Sequence, residues 1–215
     1  MKTLPAITDR PVRLGILISG GGRTMLNLAE LIQAGSLHAE IPLVLASQAE
    51  CTGIGRAQSA GLNCEPLIRR DFDSLAAFSN TIFSRMRELQ VDLVVMAGYL
   101  CLVQIPQDFE HRVLNIHPSL IPAFCGRGYH GSRVHKAAIE RGVRISGCTV
   151  HFADNEYDHG PVIVQRSVTI PDGTTPDELA SLVFEQEQIA YPEAIEKVVS
   201  GRLQIDGQRT VMLPE

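Results

Sequence analysis

The stretch VRLGILISGGGRT, residues 12–24, decides how this chain folds. Val12 to Ser19 is a short apolar run that stops at three glycines, and the next segment, Thr24 to Ala34, carries apolar residues at helical spacing. The order is strand, glycine loop, helix. Backbone N–H groups in such a loop, with the helix N-terminus behind them, make a nest for phosphate, and Arg23 adds positive charge. The loop is neither the dinucleotide fingerprint Gly-x-Gly-x-x-Gly nor a Walker loop, because no Lys-Ser/Thr follows, so a nucleotide cofactor is not favoured. Its plainer reading is a flexible turn.

Outward from this unit the alternation continues. Ile41 to Ser47 (IPLVLAS) predicts a strand, Thr52 to Ala60 a helix closed by Gly61, and Cys64 to Ile68 a short strand. Asp71 or Asp73 is expected to cap a helix from Ser74 to about Leu89. Asp92 to Ala97 (DLVVMA) is apolar on both faces, as in the middle of a parallel sheet covered by helices. Pro106 opens a short helical turn, Arg112 to Ile116 predicts a strand, and Pro118 to Gly131, rich in Pro and Gly, predicts irregular chain where function tends to sit. Val134 to Gly142 reads as a helix. Strands Ser146 to Phe152 and Pro161 to Thr169 follow, separated by the polar loop Ala153 to Gly160. Pro176 starts a long amphipathic helix towards Val199, with a bend expected at Pro192, and Asp206-Gly207 between β-favouring runs predicts a hairpin. Together these elements predict an α/β, doubly wound, mostly parallel and Rossmann-like sheet with helices on both faces, which binds ligands at the carboxyl ends of its strands.

Composition narrows the function. A chain of 215 residues with 45% hydrophobic and 20% charged content is long enough to bury a substantial core. Nineteen Lys and Arg against 24 Asp and Glu give a net charge of −5, which argues against a nucleic-acid partner held by a broad basic surface. The five cysteines are scattered without a Cys-x-x-Cys pair, as expected of free thiols in a reducing cytoplasm. LGILIS is too short for a signal-peptide core, so the mature chain is expected to start near Met1. The longest nearly apolar stretch, Leu93 to Val103, falls well below the roughly 20 residues that span a bilayer, and no membrane partner is expected.

Asn115-Ile116-His117-Pro118-Ser119-Leu120 is the most informative segment. Asn115 and His117 lie two apart, so an extended chain projects both to one side, where the pair can stabilise the oxyanion of an acyl transfer and the histidine can move protons. A lone histidine at a strand end is more often structural. Asp158, in the acidic loop His151 to Pro161, would by itself read as a surface carboxylate, and the loop lacks the spacing and glycine of a calcium-binding EF-hand. Tyr99 to Val103 is more apolar than a connecting loop needs to be and reads either as a core plug or as the wall of an apolar ligand pocket. Gln186-Glu187 with Tyr191-Pro192 lies on the last helix, where a solvated face is the ordinary reading.

Read together, LISGGGRT, VVMAGYL, LNIHPSLIPAF, SGCTVHF, DHGPVI and QEQIAYP resemble the folate-dependent formyltransferases, and within them the branch that acts on glycinamide ribonucleotide in purine biosynthesis. The resemblance runs from about Val12 to Leu203. It sets residues 1–11 apart as an N-terminal extension and 204–215 as a tail. It implies that Gly22, Arg23 and Thr24 hold the ribonucleotide phosphate and that Glu187 approaches the ribose or glycine end. By the same match Gly98, Leu100, Cys101, Leu102 and Val103 line the pterin pocket of 10-formyltetrahydrofolate, together with Asn115 and the loop Asp154, Asn155, Glu156, Tyr157 and Asp158. Asn115 and His117 would attend the formyl carbon, with Asp158 supporting His117. No metal is implied, and the assembly implied is a monomer or a homodimer.

Three departures from the commoner pattern stand out. Arg23-Thr24 replaces a small polar pair at the end of the phosphate loop. FCGRGYHGSRVH after Pro122 is longer than usual. Leu75 stands where an arginine often meets the glutamate tail of folate, which passes tail recognition to Arg69 or Arg70 or weakens it. Rival readings are a formyltetrahydrofolate hydrolase, a formyltransferase for another amine such as methionyl-tRNA or a nucleotide sugar, and a non-catalytic binding module with the same fold.

Overall fold

In the computed structural model, which describes residues 1–214, a two-residue strand β1 (Lys2–Thr3) precedes the apolar run, and that run forms β2 (Val12–Ile18). The described residues divide into two compact units, Ile7–Leu114 on the one hand and Met1–Ala6 with the chain from Asn115 onward on the other.

In the unit Ile7–Leu114, β2 is followed by α1 (Arg23–Gln33), β3 (Ala39–Ala46), α2 (Thr52–Ser59), β4 (Cys64–Pro66), α3 (Leu75–Glu88) and β5 (Leu93–Met96). Its strands lie in the order β4-β3-β2-β5, every pair parallel. Ile16 stands opposite Val44 on one side and Val95 on the other, and all three are fully buried. A parallel strand needs a crossover to return the chain, and the helices supply it. The four residues of β5 are all buried, as a run apolar on both faces requires. α3 is capped by Ser74, whose hydroxyl accepts the Ala77 N–H at 3.0 Å, and not by either aspartate expected from the sequence. Asp71 is taken up instead in a short 3-10 turn, Arg69–Asp71.

β6 (Val113–His117) begins at the end of that unit and runs into the other, which continues with α4 (Ser132–Arg141), β7 (Ile145–Phe152), β8 (Val162–Thr169), α5 (Pro176–Val199), β9 (Leu203–Asp206) and β10 (Arg209–Met212). β7 and β8 are antiparallel, with Cys148 opposite Arg166. The fold is therefore α/β with mostly parallel strands and an antiparallel pair. α5 starts with a capping box, in which Thr175 and Glu178 answer each other's backbone N–H, and Pro176 occupies its first turn. It is helical through Pro192. Leu179, Val183, Ala190, Tyr191, Ala194, Ile195 and Val198 form its buried face.

The expected hairpin is present as β9 and β10. The N-terminal residues do not stand apart from it: β1 pairs antiparallel with β9, Lys2 opposite Ile205, so that three strands share one small sheet. Covering the free edge of a hairpin satisfies backbone groups that water would otherwise have to serve. No helix among the described residues is long and apolar enough to cross a membrane.

Candidate functional site

Alternation along β6 puts Asn115 and His117 on one side, as their spacing predicts, and Asp158 comes to meet them from the loop between β7 and β8. Asp158 reaches them from a left-handed backbone conformation, φ 54°, which aspartate tolerates better than most residues. Its Oδ1 accepts from Asn115 Nδ2 at 3.3 Å, its Oδ2 accepts the Gly126 N–H at 2.8 Å, and Oδ2 lies 3.4 Å from His117 Nδ1.

A fourth member, His151 on β7, did not stand out in the sequence. Its Nε2 is 3.1 Å from Asn115 Nδ2, and its Nδ1 is 2.9 Å from the Phe152 carbonyl. An amide nitrogen only donates, so His151 Nε2 is the acceptor and the proton sits on Nδ1, where it is given to Phe152. Turning the Asn115 amide over would set its oxygen against the Asp158 carboxylate, so the network admits one orientation. Both Asn115 N–H groups are thereby engaged, one with His151 and one with Asp158. The signal in the sequence was slight: His151 is a polar residue near the end of a strand that is buried at every position from Ser146 to Phe152.

The imidazole of His117 is buried, and burial pulls its pKa below the ordinary 6.5 against the opposing pull of Asp158 and the Phe124 carbonyl. It is then neutral at pH 7. Its single proton belongs on Nε2, which donates to the Phe124 carbonyl at 2.9 Å, while the 3.4 Å gap from Nδ1 to Asp158 is too long for a good hydrogen bond. Burial alone would raise the Asp158 pKa, but the neighbouring His151 and His117 imidazoles, when protonated towards it, and the Gly126 N–H hold it below the ordinary carboxylate range. An ionised carboxylate thus faces an unprotonated ring nitrogen, a position that favours uptake of a proton at His117 Nδ1.

The same loop continues through Asp154, whose Oδ1 accepts the Glu156 N–H at 2.8 Å and whose Oδ2 pairs with His159 at 2.7 Å. That ion pair raises the His159 pKa. Asn155 lies in the same turn, and Tyr157 is exposed. Glu187 stands on α5, and its charge adds to burial in pushing the Cys148 thiol on β7 up to about 12. Among the described residues no cluster of three or more His, Cys, Asp or Glu side chains is arranged to hold a metal ion.

The glycine loop belongs to the unit Ile7–Leu114. Gly22 occupies the N-cap position of α1 with φ 66°, a conformation open to glycine, and no side chain caps the helix. Thr24 is buried and Arg23 exposed. Ser19, at the end of β2, shares a hydrogen bond of 2.6 Å with Ser47 and accepts the Leu100 N–H at 2.8 Å, which ties the segment after β5 to the strand ends. Of the residues expected to line the pterin pocket, Leu100 is 49% exposed and Cys101 and Leu102 are partly buried, but Val103 is 2% exposed and belongs to the core with Tyr99. Arg69 is engaged with the Phe72 carbonyl and lies over the Phe78 ring, whereas the Arg70 side chain is 84% exposed.

An α/β sheet with an Asn-x-His strand end, an aspartate against the histidine and a glycine loop after the first long strand defines a class, and comparison with known proteins agrees. A family model described as formyl transferase matches residues 12–195. The chain belongs to that family. It is 36% identical over 202 residues to a chloroplastic phosphoribosylglycinamide formyltransferase of Arabidopsis thaliana, covering 90% of this chain and 68% of that protein. It is also 36% identical over 199 residues to its counterpart from Vigna unguiculata, of whose length it spans 64%, less than two thirds, with 92% of this chain matched. Among solved structures, glycinamide ribonucleotide transformylase 1 from Symbiobacterium toebii matches with a TM-score of 0.89 and 35% identity, covering 96% of both chains. A formyltetrahydrofolate deformylase from Pseudomonas syringae shares the fold, with a TM-score of 0.84 at 19% identity over 96% of this chain and 67% of that one.

Proposed function

We propose that this chain transfers the formyl group of 10-formyltetrahydrofolate to the glycine amine of glycinamide ribonucleotide. The observation that carries the reading is the buried network of Asn115, His117 and Asp158 in a chain whose named relatives are phosphoribosylglycinamide formyltransferases. Gly22, Arg23 and Thr24 hold the phosphate and Glu187 the ribose or glycine end. Gly98 and Leu100 to Val103 take the pterin, as do Asn115 and the loop Asp154 to Asp158. The five free thiols suit a reducing cytoplasm.

In this mechanism the unprotonated amine attacks the formyl carbon. The new C–N bond forms as the carbonyl π pair moves to oxygen, and the tetrahedral intermediate collapses by breaking the bond to the folate nitrogen. Two donors are needed for the oxyanion. The Phe124 carbonyl lies on His117 Nε2, and Asp158 and His151 lie on Asn115 Nδ2, so each donor exchanges an internal partner for the substrate oxygen. Loss of one such donor costs about 2.7 to 4 kcal/mol of transition-state stabilisation. The proton released by the attacking amine passes to the leaving nitrogen through a water held by Asp158, whose carboxylate also favours the protonated form of His117. Atoms balance as formyl-glycinamide ribonucleotide and tetrahydrofolate, and no covalent acyl-enzyme is required.

An acceptor screen tests this. Tetrahydrofolate release is followed with glycinamide ribonucleotide, with other amines and with water alone. Rapid release that requires the ribonucleotide is the expected outcome. Equal release in water alone would make the protein a hydrolase, release with another amine would reassign the acceptor, and no release under any condition would leave a binding module.

A further inference from the structure

Arg56, one turn into α2, lies against the glycine loop: its Nη1 donates to the Gly21 carbonyl at 2.7 Å. The contact is close, since a Cβ on Gly21 would stand 3.1 Å from that nitrogen. α2 reaches the loop because its own second residue is a glycine. The Gly53 N–H donates to the Gly20 carbonyl at 3.0 Å, and a Cβ on Gly53 would lie 2.6 Å from that oxygen.

Three further features set this arginine apart from an ordinary surface cation. Among the described residues no carboxylate pairs with it, and Gly21 is its hydrogen-bond partner. A guanidinium has five N–H donors, so most of its capacity remains unused. Neither α1 nor α2 carries an acidic residue in its first turn, and neither is capped by a side chain, so positive helix ends meet the loop without a resident anion. A carbonyl oxygen within an anion nest repels the anion, and a guanidinium that takes up that oxygen removes the repulsion while adding charge of the right sign.

We propose that Arg56 is a phosphate-recognition residue for the ribonucleotide, holding the Gly21 carbonyl and offering its remaining N–H donors to the phosphate oxygens. This inference rests on the reading that the glycine loop is the phosphate site. Nothing in the sequence singles Arg56 out, because it joins the loop from 35 residues away.

The test compares glycinamide ribonucleotide with its dephosphorylated riboside in the wild-type protein and in the Arg56→Gln and Arg56→Lys variants. With Arg56→Gln, kcat/KM for the ribonucleotide is expected to fall about 10- to 100-fold, mainly through KM, as for loss of a hydrogen bond to a charged group. The loss with the riboside is expected to be several-fold smaller, and Arg56→Lys recovers part of the ribonucleotide rate. Inorganic phosphate, used as a competitive inhibitor, weakens in parallel in Arg56→Gln. Equal losses on both substrates would overturn the proposal and leave Arg56 as a brace for the loop. If the wild-type protein itself fails to distinguish ribonucleotide from riboside, the phosphate assignment of the loop falls, and the proposal with it. Arg56 is exposed, so an unfolded variant is not expected, and thermal denaturation verifies this.

Discussion

Asp158 Oδ2 stands 3.4 Å from His117 Nδ1, with the two side chains 9% and 5% exposed. Few charged groups are buried that deeply without a partner, and the partners here are unequal. Asp158 is answered by Asn115 and Gly126, whereas the facing nitrogen of His117 has a lone pair to offer in the neutral ring. A proton delivered to that nitrogen completes an ion pair in a dry environment. The pair is therefore suited to take a proton during a reaction and give it back.

Turnover should depend on both residues. His117→Ala and Asp158→Asn are each expected to lower kcat by about 10²- to 10⁴-fold, the range of a positioned acid–base group, while the far-UV circular dichroism spectrum is retained. Near-normal rates in either purified variant would contradict the proton route drawn here.

Stability should carry a pH signature of the same residue. The folded His117 titrates below the ordinary 6.5, so between the folded and unfolded values the unfolded chain binds more protons, and falling pH favours unfolding. The melting temperature is expected to drop as pH is lowered from about 7.5 to about 5.5, and to drop less in His117→Gln. Asp158 acts in a separate window, since its lowered pKa contributes stability that is lost only as pH falls below the ordinary 3.8. A wild-type and a His117→Gln protein with parallel pH profiles would show that the imidazole is not held neutral by burial.

The approach of α2 to the glycine loop can be broken by one methyl group. Gly53→Ala places a Cβ 2.6 Å from the Gly20 oxygen and 2.7 Å from Ile18 Cδ1, and the helix must move outward. A cost of about 1 to 3 kcal/mol is expected for such overpacking, together with a raised KM for the ribonucleotide and little change in KM for the formyl donor. Chemical denaturation and steady-state kinetics measure the two effects separately.

A control lies in the cap of α5. Thr175→Ala removes the hydroxyl that accepts the Glu178 N–H, and about 1 kcal/mol of stability should go with it. The formyl-transfer rate below the melting transition is expected to stay close to wild type. An unchanged denaturant midpoint would mean that Glu178 alone secures the helix start.

Much of this architecture is legible from local pattern. Period and punctuation locate β2, α1 and β5, and Pro176 announces α5 at the residue where it begins. The same period of two places Asn115 and His117 on one side of β6. Elsewhere local pattern leads astray. Two aspartates precede α3, yet the chain turns at Asp71, and Ser74 makes the cap.

By itself, the sequence determined the alternation of strands and helices, the strand-end pair Asn115 and His117, and the glycine loop, because each depends on neighbours a few residues apart whose geometry is set by a repeating backbone. Only the tertiary structure decided that His151 orients Asn115 from 36 residues away, that the Phe124 carbonyl occupies His117 Nε2, and that Arg56 rests on Gly21. The reason is physical. A hydrogen bond between distant segments depends on where folding brings two backbones to within about 3 Å, and no periodicity in the chain encodes that meeting.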